Sequence, residues 1–148
     1  MHVPRHQKTL FLFIGVLIFC LASTVHYFTL TRLYGVITAR LKPGYSAMLA
    51  SICGAGAAHL IEAMLYAFGF AMMDSTGLGG FKGGDSDGFM DIFYFSLVNY
   101  TSLGLGDIYP TGHSRFLAGL ESLNGFLLIS CSASLVFVLM HKSFSQSG

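Results

Sequence analysis

The stretch Thr101-Ser102-Leu103-Gly104-Leu105-Gly106-Asp107 decides the fold, because it ends an apolar run that begins at Ile92. The run from Ile92 to Gly106 would rise only ~22 Å as a helix, and a helix that crosses the hydrocarbon needs about 20 apolar residues. Its glycines would also break a helix. We therefore expect a re-entrant segment, buried in protein or lining a watery cavity, that returns to the side it entered from.

The composition places this segment in a membrane protein. Of 148 residues, 53% are hydrophobic and only 10% are charged, whereas soluble domains have about 25% charged residues. A net charge of +1 excludes the basic surface typical of nucleic-acid binding. The sequence shows no nucleophile–base set and no cluster of three metal ligands, so we expect no enzyme, no catalytic residue and no cofactor.

Three further stretches are nearly free of charge over membrane-spanning lengths. We predict transmembrane helices at roughly 9–30, 45–73 and 115–140. With the re-entrant pore helix and filter loop, the predicted fold class is an all-α membrane protein. Three parts follow from this division: an N-terminal helix with a basic cytoplasmic linker (1–44), a pore domain (45–140) and a short cytoplasmic tail (141–148).

The connections differ in charge and set the expected topology. Residues 32–42 contain only basic charges, and residues 74–107 contain five aspartates against Lys82. The positive-inside rule places the basic connection in the cytoplasm of a multi-pass cell-membrane protein, with the N-terminus outside. Two alternatives are that the first helix does not fully cross and that a signal peptide is cleaved near Ala22. The basic connection is expected as a short interfacial helix or a plain loop.

The re-entrant segment has the features of an ion-binding hairpin. A helix from Phe89 to about Tyr100, capped from Asp85, Ser86 or Asp87, would aim its negative carboxyl end at the bilayer centre, which favours a cation. Alternating glycines would let the carbonyls of the returning strand point the same way. Rings of such carbonyls replace the water shell of an ion. The Ser102 hydroxyl would add the innermost ligand, and Asp107 would lie at the outer mouth.

Residues 102–107 resemble the selectivity-filter signature Thr-Val-Gly-Tyr-Gly-Asp of potassium channels. The chain is most similar to prokaryotic pore-loop channels of the two-transmembrane type, with an extra N-terminal helix, over residues ~45–140. The resemblance implies a homotetramer in the lipid bilayer that conducts K⁺ passively. It implies that the filter oxygens come from Thr101, Ser102, Leu103, Gly104, Leu105 and Gly106, with K⁺ held at Ser102, Leu103, Gly104 and Leu105.

Some positions differ from that family or permit two interpretations. Leu105 replaces the family's tyrosine and cannot donate a hydrogen bond, and Val98 stands where some members have a bracing acid. A non-selective or sodium-permeable channel is therefore one alternative, and a non-conducting structural subunit is another. Gly125 matches a hinge glycine of the inner helix or serves close packing. Leu103 and Leu105 are expected to pack outward against the pore helices.

Ionisable side chains inside the predicted spans are functional candidates by default. His59 and Glu62 share a face of the second helix, and Glu121 and Asn124 lie at a similar depth in the third. They predict either a pH-sensitive network, which His59→Gln would test, or hydrogen bonds that hold the scaffold together. His59 and Glu62 alone offer too few ligands for zinc. Three lesser expectations concern a packed helix histidine (His26), buried cysteines (Cys20, Cys53, Cys131) and a flexible external turret (77–84).

Overall fold

The computed structural model describes residues 5–83 and 88–145, with the side chains of residues 12–83 and 88–142. Its elements follow the chain in a simple order, and their bounds are these: α1 (Arg5–Arg40), α2 (Tyr45–Ser75), β1 (Gly79–Gly83), α3 (Phe89–Tyr100), β2 (Ile108–Gly112) and α4 (Ser114–Ser145). In the described part of the chain, α1, α2 and α4 are long and apolar enough to cross a membrane. The predicted all-α membrane fold with three spanning helices is confirmed.

Helix α1 differs from the prediction at its carboxyl end. It continues without a break to Arg40, so residues 32–40 are neither a separate interfacial helix nor a loop. The chain leaves the helix after Arg40 and turns at the Pro43-Gly44 pair. Proline disfavours helical backbone in the residue before it, and Gly44 has a φ of 146° that favours glycine. The turn between α1 and α2 is therefore set by these two residues.

The glycine-rich segment expected as a flexible turret is instead a strand over most of its length. Strand β1 pairs antiparallel with β2, which follows the filter, from Gly79 opposite Gly112 to Gly83 opposite Ile108. A Cβ added at Gly83 would lie 2.0 Å from the carbonyl oxygen of Asp107. Glycine composition suggested mobility, but here the missing side chain permits close contact with the end of the predicted filter.

Helix α3 has the predicted bounds and begins after Gly88, which caps it without a side-chain hydrogen bond. The capping candidates Asp85, Ser86 and Asp87 lie outside the described residues. Its carboxyl end is closed by two backbone bonds, from Leu103 N to Val98 O and from Ser102 N to Asn99 O. This is the Schellman arrangement, in which one residue adopts left-handed backbone and stops the helix.

The core lies between α2, α3, α4 and the first half of α1. Its largest fully buried side chains include Tyr66, Phe70, Tyr100 and Leu117. Phe70, Phe81 and Phe95 meet edge to face with ring centroids 4.9–5.5 Å apart, a geometry that adds to the burial of their apolar area. Because Phe95 belongs to α3, Phe70 to α2 and Phe81 to β1, this cluster packs α3 against α2 and β1.

Basic residues gather at one end of the molecule and aspartates at the other, where Lys82 and Arg115 also lie. At the end that carries Arg40 and Lys42, the Nζ of Lys142 donates to the Tyr34 hydroxyl at 2.6 Å. Asp74, in the last turn of α2, and Asp107, just before β2, lie at the opposite end of the molecule, beside the β1–β2 sheet. Which end faces the cytoplasm stays a prediction from the positive-inside rule.

The cysteines do not behave as expected. Cys20, Cys53 and Cys131 are free, but all three are exposed on the protomer surface. An apolar helix shows no polar face from which burial could be predicted, so the expectation that they were buried was wrong.

Candidate functional site

The backbone dihedral angle φ alternates in sign from Ser102 to Gly106. Ser102, Gly104 and Gly106 have positive φ values of 58°, 56° and 79°, while Leu103 and Leu105 between them do not. Left-handed backbone is natural for glycine but costs a serine of the order of 1–2 kcal/mol. At Ser102 the helix-ending bonds described above hold this conformation. Alternation of this kind allows successive peptide carbonyls to turn to the same side of the strand.

This strand is open to the surroundings in the single chain. All residues from Thr101 to Asp107 are exposed, and the side chains of Leu103 and Leu105 are 65% and 58% exposed. Large apolar side chains at this level of exposure indicate a surface that another apolar surface covers. Leu103 and Leu105 were expected to pack outward against the pore helices. Contacts within their own chain do not bury them.

The outer end of the strand is held by the pore helix. The Tyr94 hydroxyl donates to Oδ2 of Asp107 at 2.7 Å, and the Ile108 N–H donates to Oδ1 at 3.0 Å. The hydrogen bond from Tyr94 lowers the pKa of Asp107 and raises that of Tyr94 itself. Asp107 therefore stays ionised to lower pH than an isolated aspartate. The brace expected to be missing at Val98 is supplied one helical turn earlier, by Tyr94.

Gly125 of α4 lies against the inner end of the pore helix. A Cβ added there would lie 2.0 Å from the carbonyl oxygen of Tyr100, and helix α4 runs through this position without interruption. The structure thus gives Gly125 a packing role, since only glycine allows this approach. Its role as a gate hinge stays a prediction.

A family model described as "Ion channel" matches residues 58–142, more than half of the chain. The chain belongs to the ion channel family. The match begins within α2 and includes the pore helix, the alternating strand and most of α4. No curated protein and no solved structure matches the chain significantly.

In this channel a buried carboxylate fastens the pore helix to α4. Glu121 is fully buried; Ser96 donates to its Oε1, and the amide of Asn99 donates to its Oε2 at 2.6 Å. Oγ of Ser96 also lies 2.6 Å from the carbonyl oxygen of Ala63 in α2, so two acceptors share its single proton. Ser122 donates to the Asn99 carbonyl at 3.0 Å. Hydrogen bonds through Glu121 and Ser96 therefore link the pore helix to both α4 and α2.

Asn124 belongs to a different cluster. Its amide donates to the Tyr66 hydroxyl at 2.9 Å and to the Phe19 carbonyl at 3.2 Å, and its Oδ1 accepts from Ser23 at 3.2 Å. This cluster joins the channel's N-terminal helix to α2 and α4. The residues predicted as one intramembrane network are thus divided among separate clusters.

His59 and Glu62 do meet, as their spacing predicted, but with two partners that the sequence did not indicate. Oε1 of Glu62 is 2.9 Å from Nδ1 of His26, and Oε2 is 3.1 Å from Nδ1 of His59. The Tyr100 hydroxyl donates to Oε2 at 2.5 Å. His26 is buried, as expected, but it is more than a packed histidine. The expectation that no three metal-ligating side chains cluster is corrected by His26, His59 and Glu62.

Proposed function

We propose that this channel is a homotetramer that conducts K⁺ passively and selectively across the cell membrane. The observation that carries the proposal is the alternating handedness at Ser102, Gly104 and Gly106. A strand with its carbonyls on one side offers an ion several oxygen atoms in a row, and strands around an axis stack these oxygens into rings. Such rings stand in for the hydration shell of a monovalent cation.

The oxygens proposed as ligands come from Thr101 to Gly106, with ions held at the levels of Ser102 to Leu105. The hydroxyl of Ser102 supplies the innermost ligand. Outside the strand, Asp107 gives the mouth a negative charge that raises the local cation concentration. The bond from Tyr94 supports this role because it favours the ionised carboxylate.

A single chain has one such strand, so assembly is part of the proposal. The exposure of Thr101 to Asp107 is accompanied by exposed apolar residues farther along α4, where Phe126 is 65% exposed. Phe126, Ile129 and Ala133 would line an inner cavity below the filter. Four copies around a common axis would turn the filter strand and these three α4 residues of each chain towards that axis. Neighbouring copies would then cover the sides of each protomer.

One observation favours a second candidate, a non-selective or sodium-permeable channel. Leu105 has no hydroxyl with which to fix the strand to a neighbouring pore helix. A filter held less firmly would discriminate less between ions of different size. The brace at the outer end, from Tyr94 to Asp107, supports the selective alternative.

The test is a bi-ionic reversal potential for purified protein in planar bilayers, with K⁺ on one side and Na⁺ on the other. A selective channel reverses at a potential strongly displaced towards the K⁺ equilibrium. Reversal near zero supports the non-selective candidate. Absence of flux in proteoliposomes, equal to that of a Gly104→Ala variant, identifies a non-conducting structural subunit.

A further inference from the structure

Outside the filter, one cluster brings three metal-ligating side chains together from two helices. His26 lies on α1, and His59 and Glu62 lie on α2. One ligand atom from each lies within 4.8 Å of the others. Each histidine presents Nδ1 to a different oxygen of the same carboxylate, at 2.9 and 3.1 Å. Two imidazole nitrogens and a carboxylate therefore converge on one small volume.

These separations are close to those of a zinc site. Zinc takes imidazole nitrogen at about 2.0–2.1 Å and carboxylate oxygen at about 2.0–2.2 Å, so tetrahedral ligand atoms lie roughly 3.3 Å apart. The Nδ1–oxygen distances of His26 and His59 are only a few tenths of an ångström shorter. Two histidines and a glutamate supply three ligands and leave a fourth position. The hydroxyl of Tyr100, 3.0 Å from Nδ1 of His59, borders that position.

Burial and charge favour a cation here. The side chains of Glu62 and His26 are 0% and 3% exposed, and that of His59 is 18% exposed, so His59 is the member of the cluster nearest to the surface. Among the described side chains, Glu62 meets only the two histidines and Tyr100, and no lysine or arginine. A buried carboxylate without a permanent positive partner is costly. A divalent cation bound by neutral imidazoles would supply the missing charge.

The surroundings also support metal-binding geometry. The ring of His26 stacks on that of His59 with centroids 5.2 Å apart. Nε2 of His26 lies 3.5 Å from Oγ of Ser132 on α4. Histidine ligands usually give their second ring nitrogen to an outer partner, which fixes the tautomer and leaves the first nitrogen free for the metal.

We propose that His26, His59 and Glu62 bind a divalent transition metal, with Zn²⁺ as the best fit to the nitrogen and oxygen ligands. The site joins α1 to α2, next to the last residue of the pore helix, Tyr100. Metal binding at this site does not depend on which ion the filter conducts. The bound metal is measured on the purified protein, with no current recording.

The first experiment measures zinc in the purified full-length protein after equilibration with buffered ZnCl₂ and removal of free metal. Matched variants are His26→Gln, which retains a side-chain amide for Glu62, and His113→Gln, which removes an imidazole between β2 and α4, away from the cluster. Wild type and His113→Gln are expected to hold about one more zinc ion per chain than His26→Gln. Equal zinc contents in all three proteins would overturn the proposal.

The second experiment needs no variant, so it stands even where His26→Gln fails to fold. X-ray absorption at the zinc edge of the loaded wild-type protein reports the ligand atoms directly. The site predicts nitrogen and oxygen neighbours with the outer-shell signature of two imidazoles. A sulfur shell would instead place zinc on the exposed cysteines, and a shell of water oxygens alone would show adventitious binding; either result would overturn the site.

Discussion

The hydroxyl of Tyr94 lies 2.7 Å from Oδ2 of Asp107, so the first half of the pore helix is fastened to the residue that ends the filter. The two residues are 13 positions apart, and the chain between them runs to the carboxyl end of the pore helix and returns. This bond closes the hairpin at its outer end, as the helix-ending bonds at Ser102 do at its inner end.

Removing the Tyr94 hydroxyl should change how the channel responds to external acid. The Tyr94 bond lowers the pKa of Asp107, so in Tyr94→Phe that pKa rises towards its ordinary value. Asp107 then loses its charge at higher pH, and the conductance that depends on this charge falls at higher pH than in wild type. Single-channel conductance measured against external pH checks the shift.

Tyr109→Phe is the matched control, because Tyr109 is an exposed tyrosine just beyond the filter. We expect its acid titration to follow wild type. A midpoint in Tyr94→Phe that is unchanged, or moves to lower pH, would contradict the proposed effect of the bond.

Gly104→Ala should abolish K⁺ flux without preventing assembly. Nothing lies within 4 Å of a Cβ added at Gly104, but its φ of +56° is strained for alanine, at about 1–2 kcal/mol per chain. Relief of that strain would rotate the adjoining carbonyls away from the ions. Proteoliposome flux and size-exclusion chromatography measure the two effects. Gly56→Ala, in open space at ordinary backbone angles, should leave both unchanged; flux retained in Gly104→Ala would be evidence against carbonyl ligation.

Gly125→Ala distinguishes packing from hinging. The added methyl group would meet the Tyr100 carbonyl, a backbone atom, and overpacking of this kind costs about 1–3 kcal/mol. We expect a lower thermal unfolding midpoint than in wild type. A pure hinge predicts an unchanged midpoint and altered open probability, which single-channel recording detects.

Glu121→Ala should loosen the pore helix. Truncation of a large buried side chain costs about 2–5 kcal/mol, and it removes the acceptor of Ser96 and Asn99. The expected results are a lower unfolding midpoint and weaker discrimination between K⁺ and Na⁺. Glu121→Gln keeps the volume and one acceptor oxygen, so its loss should be smaller. Equal stability of Glu121→Ala and wild type would show that these bonds do not hold the pore helix.

The parts of the fold that follow from local sequence could be predicted. Charge-free length gives the spanning helices, and the short run ending in Gly104 and Gly106 gives the re-entrant hairpin. The strand at residues 79–83 could not be predicted, because its glycines suggest mobility and its pairing partner lies beyond the filter.

For the cluster of His26, His59 and Glu62, the sequence could predict only the contact between residues of the same helix. His59 and Glu62 could be paired because three residues separate them on a helix. His26 could not be assigned to them, since α1 is apolar around its circumference and gives no periodic signal for its rotation. Tyr94 does carry a signal, because it lies one turn before Val98 on the same helix face.

The most direct test of the central claim is an electron cryo-microscopy map of the purified channel, recorded once in K⁺ and once in Na⁺. We predict four copies around one axis, the strand from Ser102 to Gly106 nearest to that axis, and density on the axis between its carbonyl levels in K⁺. Filter strands far from any common axis, or an axis with no density in K⁺, would contradict the account.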